Sequence, residues 1–472
     1  MRPRRLTEVA RATGGRVRGD DVGVSSVVVD SRLAVPGALF VALRGERADG
    51  HAFVGDAFAR GAAAALVRRG GAPDPRGPLV EVDDPGRSLL DLAADERGAF
   101  QGPVIGVTGA NGKTTTKELA AAVLGTRLRT HASPGSFNNE VGVPLTLLGA
   151  PPDAEALVVE LGARHVGDHL VLCEVARPSV VVVTNVGVAH LEVYGSWEAI
   201  VASSAEPVEW LGADGTAVLN ADDPVVRGFA TRARARVLTF GLAADADVGA
   251  EGVELGDDGR PSFTLRTPSG RATVRLPLVG EHMVSNALAA AACGTALGLP
   301  AEACAEGLTR ARGAPWRMET ATSADGVTVV NDAYNANPGS VAAALRAARW
   351  LARRSRLCAV LGHMAELGPA SAAEHERVGE LVARLRVDRL VTVGGAARGI
   401  ALAAVREGLE PEAVASYEDP AEALADVRAW ARPGDVVLCK ASRVAGLERV
   451  AEALLSGGDL APAPAPAGEA VA

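Results

Sequence analysis

The run Val104-Ile105-Gly106-Val107-Thr108-Gly109-Ala110-Asn111-Gly112-Lys113-Thr114-Thr115 reads as a strand, a glycine turn and the opening of a helix. Four successive residues at Val104 to Val107 without polar alternation suit a strand covered on both faces, which is the habit of parallel sheets. A glycine turn after such a strand brings backbone N–H groups and a helix N-terminus to one point, where they can cradle phosphate oxygens. Lys113 is placed to neutralise the β- and γ-phosphates, and the hydroxyl of Thr114 to bind magnesium. Val107 occupies the first glycine's place in the strict GxxxxGK[ST] pattern, so the loop is a variant of it. ATP is the expected ligand, held by Thr108, Gly109, Ala110, Asn111, Gly112, Lys113, Thr114 and Thr115.

Outward from this turn the same rhythm repeats. Ala156-Leu157-Val158-Val159, Val180 to Val183 and Thr216-Ala217-Val218-Leu219 are further apolar strands separated by helical stretches, the βαβ signature of a doubly wound parallel sheet. From Val237 to Val279 the pattern alternates with period two, which predicts an antiparallel extension of that sheet. Upstream, Val27 to Val29, Ala38 to Leu43, Ala64 to Val67 and Leu79 to Val82, with helices near Phe53 to Gly61 and Arg87 to Phe100, form a small α/β unit. Downstream of Gly313-Ala314-Pro315, the runs Val327 to Val330, Leu357 to Leu361, Arg389 to Val393 and Asp435 to Leu438 form a second, smaller Rossmann-like unit. The expected division is 1–100, a central nucleotide-binding unit 101–312, a C-terminal unit 313–458 and a low-complexity disordered tail 459–472.

Bulk properties agree with an α/β chain of this kind and exclude several functions. With 472 residues, three domains are the starting expectation, and 48% hydrophobic against 22% charged residues gives enough material for real cores. A formal net charge of -9 repels a nucleic-acid backbone, so any phosphate ligand must be held locally. The cysteines 173, 293, 304, 358 and 439 lack metal-ligand spacing and read as small buried hydrophobes in a reducing compartment. Arg2, Arg4 and Arg5 are not followed by an apolar stretch, so no signal peptide is read there, and no segment reaches the roughly 20 apolar residues of a membrane span. A cytoplasmic monomer is expected, without nucleic-acid or membrane partners.

Thr108 to Glu118 resembles the ATP loop of the Mur ligases, TGxNGKTTTKE, and the similarity runs along nearly the whole chain. Asp30-Ser31-Arg32 and Gly45 to His51 look like that family's UDP-sugar-binding domain, which implies that Ser31, Arg32, Asp49, Gly50 and His51 contact substrate. Ser136 to Thr146 is similar to the NxNNxxGxPLT segment of the branch that adds a dipeptide to a muramoyl-tripeptide, and it implies substrate contacts at Asn138 and Asn139. The resemblance further implies magnesium held by Glu160 and His190 with Thr114. It implies nucleotide contacts at His282, Asn286 and Arg317, and a loop, Asn331 to Pro338, whose Asp332 and Asn335 meet nucleotide and whose Tyr334 and Asn337 meet substrate. Lys440 to Arg443 is similar to the KGSR that closes the C-terminal domain.

The activity implied by this resemblance is ATP-dependent joining of D-alanyl-D-alanine, or a related dipeptide, to UDP-N-acetylmuramoyl-tripeptide through an acyl phosphate, with Lys113, Glu160 and His190 at its centre. The alternatives carried beside it are a ligase with another acceptor and a weakly active binder of UDP-muramyl-peptides. They are prompted by departures from the family pattern. Ser204 stands where a lysine is typically carbamoylated to help hold a second magnesium, although Glu206 is kept. Met283, Trp316, His363 and Ala441 replace asparagine, glycine, aspartate and glycine.

Overall fold

The computed structural model describes residues 1–45, 48–72, 76–188 and 191–461. His190 and the tail from 462 onward therefore lie outside the described residues. The strand at the start of the nucleotide loop, Val104–Thr108, is the inner strand of a six-stranded sheet in the order Arg236–Phe240, Thr216–Asn220, Val180–Val183, Val104–Thr108, Ala156–Glu160, Thr130–Ala132, every pair parallel. The strands from Ala156–Glu160 to Thr216–Asn220 are buried along their whole length, as their unbroken apolar runs require.

The expected antiparallel extension is corrected. Arg236–Phe240 is a parallel edge strand, and Gly249–Leu255, Pro261–Thr267 and Gly270–Arg275 form a separate three-stranded antiparallel sheet, joined to the first by the isolated bridge Phe240–Val248. The cause is local. The Asp222 carboxylate accepts from the backbone N–H groups of Leu242 (2.7 Å) and Ala243 (2.8 Å), turning the chain out of the sheet directly after Phe240.

Upstream, Arg16–Arg18, Leu79–Val82, Ala64–Arg68, Ala38–Val41 and Ser26–Val28 make a five-stranded sheet, parallel except at its first strand. The helix Pro85–Ala99 starts cleanly because Asp84 accepts from the N–H groups of Gly86 and Arg87. Its Leu89 and Leu92 belong to one buried cluster with Leu66 and Val80 of that sheet and Leu157 and Val159 of the central one. Downstream, a six-stranded sheet runs Glu319–Thr322, Thr328–Asn331, Val436–Lys440, Leu357–Gly362, Arg389–Val393, Val414–Tyr417, parallel except for its first strand. A continuous buried cluster runs from Ile105 and Leu119 through the helix Met283–Ala296 to Leu345, Leu361 and Leu438, so the central and C-terminal sheets share a core. All five cysteines are buried free thiols.

Candidate active site

The nucleotide loop is built by close backbone approach. A Cβ on Gly109 (φ 129°) would stand 2.1 Å from Thr184 Oγ1, and one on Gly112 (φ 80°) 2.3 Å from Asn286 Oδ1, so neither position admits a side chain. Thr184 and Asn185, just past Val180–Val183, fix the turn from the neighbouring strand: Asn111 N–H donates to Asn185 Oδ1 (2.9 Å) and Thr184 Oγ1 donates to Asn111 O (2.7 Å). The helix Lys113–Leu124 opens directly after Gly112, with Thr114 and Thr115 buried in its first turn.

Lys113 folds back over this loop, its Nζ donating to Gly109 O (2.6 Å) and reaching Ala110 O (3.4 Å). Burial lowers its ammonium from the usual lysine range; the charge of Glu160 works the other way and that of Arg317 reinforces the fall. Glu160, at the end of Ala156–Glu160, is 1% exposed. Its Oε1 accepts from Asn138 Nδ2 (2.8 Å), while its Oε2 is buried without a hydrogen-bond partner. A buried carboxylate oxygen without a hydrogen-bond partner is costly unless a cation comes into contact with it. Thr114 Oγ1 shares a hydrogen bond with Ser136 Oγ (3.0 Å), and among the described residues no cluster of three His, Cys, Asp or Glu is able to hold a metal. Glu160 and Thr114 thus fit the sparse set magnesium takes when phosphate oxygens and water complete its shell.

Several supports lie beyond the residues expected to touch ligand. Lys117 is fully buried, and its Nζ donates to Glu118 Oε1 (2.5 Å), Ser133 O (2.6 Å) and Gly135 O (2.8 Å), anchoring the turn that presents Ser136. His169 Nδ1–H donates to Ser203 O (2.9 Å) and its Nε2 accepts from Thr108 Oγ1 (2.8 Å), tying the floor of the loop to the helix Trp197–Trp210. Burial, with lesser help from Lys113, lowers this imidazole to about 4. Nothing in the linear pattern around His169 marks it; only packing brings it under Thr108. Ser204 donates its hydroxyl to Ile200 O (2.7 Å) on its own helix and offers no ligand to the site. The Glu206 carboxylate, raised by burial, accepts from Gly167 N–H (2.6 Å).

The C-terminal unit closes on the loop. Asn337 Nδ2 donates to Asn111 Oδ1 (2.7 Å), and Arg317 Nη2 donates to Ser136 Oγ (3.0 Å) while its guanidinium lies 4.2 Å over the Tyr334 ring. The two units also meet where Glu192 N–H donates to Glu366 O (3.3 Å). Asp332 pairs with the buried Lys440 (2.6 Å), whose Nζ also donates to Asn335 O (2.9 Å). His282, lowered chiefly by burial, feels the charges of Asp332 and Lys440, and Asn286 faces Gly112.

The residues expected to face substrate hold contacts of their own. Asn139 Oδ1 accepts from Val141 N–H (3.1 Å) and Gly142 N–H (2.8 Å) and so caps the helix Gly142–Leu148. In the N-terminal unit Ser31 is buried and Arg32 is paired with Asp30 (2.6 Å), whose carboxyl that guanidinium holds below its ordinary range. His51 Nδ1–H donates to Asp49 Oδ1 (2.6 Å), its Nε2 accepts from Arg68 N–H (2.9 Å), and Gly50 N–H donates to Leu43 O (2.7 Å). Among the described residues no hydrogen bond or ion pair joins these to the nucleotide loop.

Fold and site define a phosphate-loop protein of three α/β units in which the last folds over the loop of the second. Comparison with known proteins agrees. Residues 23–94 match the model of the Mur ligase family catalytic domain, 107–294 the Mur ligase middle domain and 316–443 the Mur ligase glutamate ligase domain. The UDP-N-acetylmuramoyl-tripeptide--D-alanyl-D-alanine ligase of Mycobacterium tuberculosis is 43% identical, with 91% of this chain and 92% of that one covered. Its namesake in Bacillus subtilis is 34% identical over 95% and 97%. The crystal structure of MurF from Acinetobacter baumannii superposes with a TM-score of 0.85 at 32% identity, covering 96% of this chain and 99% of that one. MurF from Thermotoga maritima, solved in complex with ADP, gives 0.78 at 30% identity, over 91% and 96%. The chain belongs to the Mur ligase family.

Proposed function

We propose that the protein joins D-alanyl-D-alanine to UDP-N-acetylmuramoyl-tripeptide with ATP as the energy source, a step of peptidoglycan precursor synthesis carried out by a cytoplasmic monomer. The relatives bearing this name at 34 to 43% identity support the dipeptide acceptor over another one. The observation that carries the chemistry is the buried, partnerless Oε2 of Glu160 beside Lys113, at a loop which Asn337 closes from the facing unit.

Forming an amide from a carboxylate requires a leaving group better than oxide, and phosphorylation supplies one. The tripeptide's terminal carboxylate oxygen attacks the γ-phosphorus in line, the bond to ADP breaks, and the acyl phosphate is then displaced by the dipeptide amine. Lys113 lies where charge gathers on the phosphoryl oxygens, held by backbone carbonyls until nucleotide replaces them. A magnesium ion, held by Glu160, Thr114 and His190, would supply further charge neutralisation. The Asn111–Asn337 and Arg317–Ser136 contacts position the facing unit and keep water from the acyl phosphate. We assign UDP-sugar binding to residues 1–100, with Ser31, Arg32, Asp49, Gly50 and His51 toward that substrate. Residues 101–312 bind nucleotide and 313–458 complete the site, with Asp332 and Asn335 toward nucleotide and Tyr334 and Asn337 toward substrate. Phosphate release measured with UDP-N-acetylmuramoyl-tripeptide and ATP tests the reading: release that depends on added D-alanyl-D-alanine supports it, and turnover indifferent to the dipeptide refutes it.

A further inference from the structure

Three adjacent strands of the C-terminal sheet, Thr328–Asn331, Val436–Lys440 and Leu357–Gly362, end side by side, with Asn331 and Val360 both in register with Cys439. Ligands of open parallel sheets gather outside such carboxyl ends. The groups presented there are largely committed. Asp332 pairs with Lys440 and Arg443 with Glu448 (2.7 Å). Ser442 Oγ accepts from Ala365 N–H (2.9 Å). His375 is fixed at both ring nitrogens, its Nδ1–H donating to Ser371 O (2.7 Å) and its Nε2 accepting from Met364 N–H (3.0 Å).

His363, the first residue beyond Leu357–Gly362, is different. It is half-buried and stacks on His375 with ring centroids 5.6 Å apart, yet neither of its ring nitrogens has a hydrogen-bond partner among the described residues. Its own carbonyl accepts from Ser442 N–H (2.9 Å), so the backbone is fixed while the imidazole is left available. The same loop reaches the central unit through Glu366 O, which accepts from Glu192 N–H, two residues past His190. A base is thereby held next to the Asn331 to Pro338 loop, through Ser442, whose Oγ also donates to Ala336 O (3.3 Å), and next to the contact with the central unit.

The second half of the proposed reaction has an unmet need. The acceptor arrives as an ammonium at neutral pH and cannot attack until it loses a proton, and an imidazole is suited to take it. We propose that His363 is the proton acceptor for the incoming dipeptide, an inference that rests on the ligase reading of the site. One ammonium proton passes to a ring nitrogen of His363, and the freed amine lone pair attacks the acyl carbon. A C–N bond forms and the C–O bond to phosphate breaks; phosphate leaves with that electron pair and takes up the second nitrogen proton. Among the described residues, His375 lies beneath the ring and Glu374 acts on His375 from the same helix, Glu366 follows three residues on in the same loop, and Ser442, neutral, donates its N–H to the His363 carbonyl.

The test uses His363→Asn and His363→Asp in the full chain with ATP, UDP-N-acetylmuramoyl-tripeptide and either D-alanyl-D-alanine or hydroxylamine, a nucleophile already uncharged at neutrality. In the Asn variant, hydroxamate formation should match wild type, while ligation at pH 7 falls about 100-fold in kcat. The deficit should close as pH rises past the acceptor amine's own range of about 8. The Asp variant should recover part of the rate. An Asn variant that ligates like wild type at pH 7, or whose deficit is equal at every pH, overturns the assignment of His363 alone. A wild-type protein that forms no hydroxamate overturns the ligase reading and this step with it.

Discussion

Replacing Asn337 with serine isolates the contact that closes the site. Asn337 has two duties: its Oδ1 accepts from Ser340 N–H (2.9 Å) and caps the helix Pro338–Leu351, and its Nδ2 donates to Asn111 Oδ1 (2.7 Å) across the cleft. Serine caps a helix about as well as asparagine but is too short to reach Asn111. The substitution therefore removes a half-buried neutral hydrogen bond worth about 1 kcal/mol, and it does so only in the closed state. At about 1.4 kcal/mol per tenfold, loss of this contact alone lowers kcat/KM for ligation roughly fivefold, a minimum because Asn337 is also assigned toward substrate, with little change in the unfolding temperature. Asn337→Ala loses the cap as well and should cost about 1 kcal/mol of stability on top of the same kinetic loss. Steady-state ligation kinetics and thermal unfolding read these effects, and a double-mutant cycle with Asn111→Ala should return a coupling of about 1 kcal/mol in kcat/KM. A cycle with no coupling, or a serine variant with unaltered kcat/KM, would refute the claim that this contact holds the closed site.

The same geometry sets three further outcomes. Lys113→Met removes the ammonium over the loop and should lower kcat by about 1,000-fold with the fold retained, as monitored by circular dichroism; a loss under tenfold would show the charge to be dispensable. The lowering of His169 from an ordinary 6.5 to about 4 means the unfolded chain binds its proton first, so its neutral burial leaves stability intact above pH 6.5 and removes about 3 kcal/mol as pH falls toward 4. Unfolding free energies from denaturant titrations at several pH values should fall more steeply with acid for wild type than for His169→Leu over that window, and the same pH dependence in both would contradict the assignment. Because Ser204 is bonded to Ile200 O and a serine cannot be carbamoylated, stripping bicarbonate should leave the rate unchanged and Ser204→Lys should bring no gain; a rate that bicarbonate restores would place a carbamate elsewhere.

How much of this was legible in the chain depends on the range of each signal. The phosphate turn was readable because strand, glycines and lysine are contiguous, and the buried parallel strands because their apolar runs need no partner to be recognised. Glu160 could be singled out as a carboxylate ending such a run. Ser133 and His169 could not, since they meet the loop and its helix only through packing across 16 to 61 residues of sequence. The alternation between Val237 and Val279 revealed antiparallel strands but not their neighbours, because the turn set by Asp222 lies outside that alternation. The short edge strands Thr130–Ala132, Glu319–Thr322 and Val414–Tyr417 went unread, being only partly buried and mixed in polarity. Asn139, expected to face substrate, shows what the linear pattern leaves out: its Oδ1 also accepts from the N–H groups of Val141 and Gly142 at the start of the next helix.

The fate of the oxygen atoms tests the central claim most directly. UDP-N-acetylmuramoyl-tripeptide labelled with 18O in its terminal carboxylate, turned over with ATP and D-alanyl-D-alanine, should deliver one labelled oxygen to each inorganic phosphate released, because activation joins that carboxylate oxygen to the γ-phosphorus. Unlabelled phosphate accompanying amide formation would contradict the acyl phosphate and the roles given to Lys113 and Glu160.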